Sequence, residues 1–239
     1  MSTVAVAVVC KTPVPGRSKT RLSPPLRPDE CAALSACFIE DLAGTIGDLR
    51  RDGDVTPYAL YTPRGTETTL CELLPERFAL APQCEGGFGE RLRQGIADLL
   101  SAGHRGAILV NSDSPTLPRA ILRAAVDALL REDCVVLSPA FDGGYTLIGL
   151  SKPHDRLFED IPWSTSAVHR LTLERAKEIS LPVANVPGWY DIDDEASLRM
   201  LEREFAGRVP EFAAMPGTPA PRTRGFLRAR NAALAAPAA

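Results

Sequence analysis

Hydrophobic positions along the chain follow two alternating rhythms. Short continuous apolar runs, beginning with residues 4–9, are of the kind expected of strands buried on both faces. Between them, apolar residues recur every three or four positions. The first such stretch opens at Pro28-Asp29-Glu30, carries Leu34, Phe38, Leu42, Ile46 and Leu49, and stops at Gly53. Further strands are predicted at 56–61, 78–81, 107–110, 134–137, 145–150 and 183–186. The remaining helices are predicted at about 67–74, 90–102, 119–131, 166–179 and 194–205, and no internal repeat is found. This alternation predicts an α/β fold: a mostly parallel twisted sheet with helices on both faces and ligands beyond the carboxyl ends of the strands.

Composition changes the picture near residue 207. Residues 208–239 hold ten Ala, five Pro and five Arg but one acid, without sustained periodicity. The chain therefore divides into a single domain over 1–207 and a C-terminal tail expected to be solvated or loosely docked. Docking of the tail on a neighbouring subunit, as in a homodimer, or over the active site is the alternative. The net charge of −3 over 239 residues is the sum of a −7 body and a +4 tail. That balance argues against a dedicated nucleic-acid binder. No run of 18 apolar residues could span a bilayer, and the first strand lacks the flanks of a signal peptide, so a cytoplasmic protein without a membrane partner is expected. The six cysteines show no zinc-ligand spacing and are expected to be reduced. His169, within a helix, is expected to be structural, and His104 and His154 lie in polar loops.

Three loops carry candidate chemistry. The first strand empties into KTPVPGRSKTRL, where Lys11, Arg17, Lys19 and Arg21 stand without an acid, Pro15 stiffens the loop and Gly16 permits a bend. Cations fixed at a strand's carboxyl end suit a polyanion such as a diphosphate or triphosphate. Neither a Walker loop nor a dinucleotide fingerprint is present. The second loop, NSDSP at 111–115, places Asp113 where a Mg²⁺ ligand or an Asx-turn is expected. The third, GWYDIDDEASL at 188–198, supplies Asp191 and Asp193, which share a face by period-two alternation and could reach one metal. Asp193 or Asp194 is also a good helix cap.

Two further segments accompany them. PAFDGGYTLIGL contains the Asp142-Gly143-Gly144 turn, and IPWSTS sets Ser164 and Thr165 at a helix start, where both could hold an acceptor. A hairpin turn and an ordinary cap are the structural alternatives. In GGFGERL, Arg91 falls in the first turn of a helix, an unfavourable place for a cation unless it reaches an anion.

Taken together, KTPVPGRSKTRL, NSDSP, PAFDGGYTLIGL, PWST and YDIDD resemble the glycosyltransferase-like family called domain of unknown function 2064, or "transferase 1, rSAM/selenodomain-associated". The resemblance spans residues 11–194 and excludes the tail. It implies a GT-A-type nucleotide-diphospho-sugar transferase fold, a Rossmann-like α/β/α sandwich. The set is more distantly similar to the 2-phospholactate or phosphoenolpyruvate guanylyltransferases. By that resemblance Lys19 and Arg21 contact nucleotide phosphates, and Asp113, Asp191 and Asp193 bind Mg²⁺ or Mn²⁺. The usual family ending DID-T-P-x-D-L is replaced here by DIDDEASL, which keeps both carboxylates. Ser112-Asp113-Ser114 offers one acid where a glycosyltransferase shows a DxD, which moves the expectation towards nucleotidyl transfer.

The expected function is a metal-dependent transferase using an NTP or NDP-sugar and a small phosphorylated or carboxylated acceptor. Lys19, Arg21 and Asp113 are its catalytic candidates, Lys11, Pro15, Gly16 and Arg91 further nucleotide contacts, and Asp142, Gly143, Gly144, Ser164 and Thr165 the acceptor contacts. Glycosyl transfer from an NDP-sugar is the alternative, and a non-catalytic nucleotide- or metabolite-binding domain the second.

Overall fold

A computed structural model describes residues 3–235; the ends of the expected domain and tail, 1–2 and 236–239, lie outside the described residues. The strands are β1 (Val4–Lys11), β2 (Val55–Thr62), β3 (Ala79–Pro82), β4 (Gly106–Asn111), β5 (Val135–Pro139), β6 (Tyr145–Leu150) and β7 (Val183–Asn185). The α-helices are α1 (Pro28–Leu49), α2 (Glu67–Leu73), α3 (Phe88–Ser101), α4 (Arg119–Arg131), α5 (Val168–Glu178), α6 (Glu195–Phe205) and α7 (Pro221–Ala235).

The seven strands form one sheet in the order β3-β2-β1-β4-β6-β5-β7, with β6 antiparallel to β4 and β5 and every other pairing parallel. Period-two alternation produces the sandwich. In β1, Val4, Val6, Val8 and Cys10 pack with α1, α4 and α6 on one face, while Ala5 and Ala7 pack with α3 and α5 on the other. Both faces being covered explains why the strands read as unbroken apolar runs.

Topology selects the functional edge. The chain winds outward from β1 through β2 to β3, then returns to place β4 on the other side of β1, so the β1 and β4 loops flank a switch point. Because β6 runs antiparallel, pairing Val110 with Leu147, the 140–144 loop that precedes it lies at the carboxyl end of β4. The chain after β7 then crosses the same edge: Trp189 N–H donates to the Pro139 carbonyl (3.1 Å) and Ile192 N–H to the Asp113 carbonyl (2.9 Å).

Most predicted elements are present to within two residues at each end. α5 starts two residues later than expected, and the 3-10 turn Asp155–Phe158 has no counterpart in the sequence pattern. Asp194 is the cap of α6, accepting Ser197 N–H at 2.9 Å, which leaves Asp193 free of that duty.

The C-terminal segment differs from the expectation of a solvated or loosely docked extension, since residues 221–235 form α7 packed on α1. Its docking rests on remote partners. Asp41, buried on α1, accepts Arg222 N–H (3.0 Å) and Thr223 N–H (2.8 Å), capping α7 across 181 residues of sequence. Leu227 is buried in the α1-side core, and Arg224 lies over the Phe205 ring at 4.6 Å. A cap supplied from another helix leaves no local signature, and one buried leucine gives no periodicity.

Candidate functional site

At the carboxyl edge the loops enclose a cleft of about 520 Å³. Lys11, Arg17, Lys19 and Arg21 of the β1 loop form a basic wall, and Asp113, Asp142, Asp191 and Asp193 line it too. Val9, Leu109 and Ile148 of the sheet and Leu92 of α3 give an apolar floor, closed by Phe88, Tyr145 and Trp163. Gly144, Ser164 and Thr165 complete the lining among the expected residues.

Four expected residues do not line the cleft: Pro15, Gly16, Gly143 and Arg91. Gly143 has φ +88°, and a Cβ there would lie 2.2 Å from the Ser166 carbonyl oxygen. Its service is therefore local, letting the 140–144 turn seat against residue 166. Among the described residues Arg91 reaches no anion. Its Nη1 donates to Gln83 Oε1 at 3.3 Å and its guanidinium lies 5.9 Å from the centre of the Phe88 ring. Gln83 is itself fixed by donating to the Cys10 and Leu60 carbonyls, so Arg91 braces the aromatic end of the cleft.

The acids separate into two arrangements. Lys19, in the left-handed region at φ 49° with its side chain 7% exposed, sets its Nζ 2.9 Å from Asp113 Oδ2 and 3.0 Å from Asp193 Oδ1 and also donates to the Ile192 carbonyl. Burial pushes this ammonium down, but the two carboxylates outweigh it and hold its proton more firmly than usual. Asp142, Asp191 and Asp193 form the second arrangement, each offering one carboxylate oxygen within 4.8 Å of the others. Ile192 is fully buried between the last two, so the period-two alternation does turn them the same way. Asp113 thus engages the lysine, and Asp142 joins the pair expected to bind metal.

Asp191 records what this crowding costs. Burial first, then the charges of Asp193, Asp142 and Asp113, push its carboxyl up to about 6. Three hard oxygen donors at this separation, one of them reluctant to ionise for want of a positive partner, fit Mg²⁺ or Mn²⁺. The sign of the linkage follows: a carboxyl raised in the folded state contributes stability that is present below its unfolded value near 4 and lost as pH rises through about 6. In chelator-treated protein, Asp191→Asn is expected to be more stable than the parent by roughly 1–2 kcal/mol at pH 7.5 and indistinguishable from it at pH 4, read from urea unfolding. An advantage that persists undiminished at pH 4 would contradict the assignment.

Sequence reasoning did not single out Phe88, Tyr145 or Trp163. A signal for the aromatics was present in GGFGERL. A Cβ at Gly89 would lie 2.1 Å from Trp163 Nε1, so this glycine, inside an otherwise ordinary helix turn, marks where Trp163 packs. Phe88 and Trp163 meet edge to face at 5.6 Å.

Comparison with known proteins agrees with this architecture. The model of the family described as "Uncharacterized protein conserved in bacteria (DUF2064)" matches residues 45–165. A crystal structure of a candidate nucleotide-diphospho-sugar transferase from Desulfovibrio desulfuricans G20 is 27% identical, with 97% of this chain and 96% of that one covered and a TM-score of 0.82. CMP:2-keto-3-deoxy-manno-octonic acid synthetase, complexed with CTP, shares the fold at 9% identity, 87% and 100% coverage and a TM-score of 0.56. Glucosyl-3-phosphoglycerate synthase from Mycobacterium tuberculosis, complexed with Mn²⁺, UDP and glucosyl-3-phosphoglycerate, does so at 13% identity, 85% and 77% coverage and a TM-score of 0.50. No curated protein matches the chain. Among the described residues no helix is long and apolar enough to cross a membrane.

Proposed function

The chain belongs to the DUF2064 family, and on that premise we propose that it is a metal-dependent transferase acting on a nucleotide. One observation carries the proposal: a basic wall and three converging carboxylates occupy a single cleft at the sheet's switch point. Polyphosphates need both signs of charge, cations for their oxygens and carboxylates for the accompanying metal. The residues fit transfer chemistry that requires positioning and charge neutralisation rather than a protein nucleophile.

Arg17, Arg21 and Lys11 bind and orient the phosphates. Asp142, Asp191 and Asp193 would hold Mg²⁺ or Mn²⁺, which when bound neutralises charge on the phosphate oxygens. Lys19 fixes Asp113 and Asp193 in place and ties the basic loop to the acidic one. The apolar floor and aromatic end exclude water from the reacting groups. Ser164, held at φ 65° on the cleft rim, presents its hydroxyl to a small phosphorylated or carboxylated acceptor, whereas Thr165, also on the cleft, donates its hydroxyl to the Pro162 carbonyl at 2.7 Å and fixes the turn.

Nucleotidyl transfer is favoured because the strand-end segment at Asp113 supplies one acid and commits it to Lys19. Glycosyl transfer is the second reading, supported by the Desulfovibrio desulfuricans relative. The test pairs each NTP, UDP-sugar and GDP-sugar with Mg²⁺, Mn²⁺ or chelator, following thermal stabilisation and then release of pyrophosphate or NDP with an acceptor panel. Metal-dependent stabilisation by NTPs with pyrophosphate release is expected. Stabilisation by NDP-sugars alone would replace the nucleotidyl reading with the glycosyl one, and stabilisation by none would overturn both.

A further inference from the structure

The segment that joins α6 to α7 reaches the acidic cluster. Two of the three acids follow an aromatic residue directly, in Phe141-Asp142 and Tyr190-Asp191. Phe212, from the joining segment, touches both aromatics: its ring centre is 3.7 Å from that of Phe141 and 5.9 Å from that of Tyr190. Tyr190 is buried and anchored, its hydroxyl donating to the Glu204 carboxylate. Phe141 is not: 55% of its surface is exposed, and among the described residues Phe212 is its aromatic partner.

The joining segment is itself held at several points. Thr218 N–H donates to the Thr116 carbonyl at 2.9 Å, Ala213 and Met215 pack against the α1-side core, and Asp41 fixes the start of α7. The 140–144 loop is bonded within itself, Ala140 N–H to the Gly144 carbonyl (3.0 Å), Gly143 N–H to the Ala140 carbonyl (3.3 Å) and Gly144 N–H to Asp142 Oδ1 (2.8 Å), and to α5, whose His169 N–H donates to the Gly143 carbonyl (2.9 Å). These bonds hold the turn to itself and to α5, and none of them reaches Asp191 or Asp193. What ties it to the neighbouring acidic loop is an aromatic contact donated by the C-terminal segment.

We propose that Phe212 is a positioning residue of the cleft: by clasping Phe141 against Tyr190 it holds the Asp142 loop at the distance from Asp191 and Asp193 at which the three carboxylates converge. The region beyond α6, which the family model does not reach, thereby belongs to the site. The inference rests on the proposed metal role of these acids for its functional consequence, and on packing alone for its structural one.

Two measurements on the full-length chain separate those parts. Amide hydrogen exchange of metal-free protein reads the loop: Phe212→Ala is expected to speed exchange at Ala140 and Gly144 by about tenfold, the factor that one aromatic contact supports, without changing exchange in β1 or β4. Mn²⁺ titration followed by electron paramagnetic resonance reads the cluster. Phe212→Ala should weaken Mn²⁺ binding by about tenfold, and Phe212→Leu or Phe212→Tyr should restore most of it, since apolar bulk against Phe141 is what matters. Unchanged exchange at Ala140 and Gly144 in Phe212→Ala would overturn the clasp, as would faster exchange spread through the whole sheet or weakened binding that neither replacement restores. Parent protein that shows the exchange effect but binds no Mn²⁺ would leave the clasp standing as packing and overturn its link to metal, together with the metal reading above.

Discussion

Asp191→Asn should lose about three powers of ten in metal-supported transfer while folding at least as well as the parent. The loss follows from removing one of three anionic oxygens in the cluster, where charge complementarity of about 4 kcal/mol at the transferring phosphate is at stake. The intact fold follows from the same crowding that pushes this carboxyl up to about 6, because an amide in its place relieves repulsion from Asp142 and Asp193. Steady-state product release with saturating Mn²⁺, alongside a melting curve of chelator-treated protein, checks both halves. Transfer within threefold of the parent would remove Asp191 from the metal site. A large drop in melting temperature would make any activity loss uninformative and contradict the electrostatic account.

Lys19→Met is expected to act in the opposite sense on stability. The side chain is nearly buried and neutralises Asp113 and Asp193 at 2.9 and 3.0 Å, so its removal leaves two carboxylates facing each other without a cation. Breaking a fully buried pair costs about 3–5 kcal/mol; with the carboxylates 31% and 43% exposed, about 2–3 kcal/mol is expected. Methionine keeps the apolar stem against Phe38, over whose ring the ammonium lies at 5.7 Å, so the loss is one of charge rather than volume. Divalent cation should recover part of that stability, because the orphaned carboxylates become better ligands. Urea unfolding with and without Mn²⁺ measures this. Stability unaffected by the substitution would show that Lys19 is not the internal counter-cation of the site.

Much of the architecture was legible because it depends on local pattern. Buried parallel strands write continuous apolar runs, amphipathic helices write three- and four-residue steps, and the alternation of the two dictates a doubly covered sheet with its loops at one edge. The DID segment was readable for the same reason: a buried Ile192 between two acids is a period-two pattern. The sequence pairs Asp142 with an acceptor and not with Asp191 and Asp193, because its position depends on β6 running antiparallel, which pairing across the sheet decides and the run 145–150 does not disclose. The charge of the basic loop and the family resemblance both point Lys19 at a phosphate, and neither discloses an internal partner. In the structure its ammonium is taken by two carboxylates, Asp113 and Asp193, lying 94 and 174 residues away in sequence. Helix α7 was hidden for a related reason, its cap being Asp41 on another helix and its buried face little more than Thr223 and Leu227.

If one cleft takes a nucleotide's phosphates on the β1 loop and their metal on Asp142, Asp191 and Asp193, anomalous diffraction from crystals grown with Mn²⁺ and CTP or UDP should locate both together. One manganese peak is expected within about 2–2.5 Å of oxygens from these three residues, with phosphate density between it and Arg17 and Arg21. Nucleotide bound with its phosphates away from that loop, or manganese seated on Asp113 with Lys19 displaced and the triad bare, would contradict it.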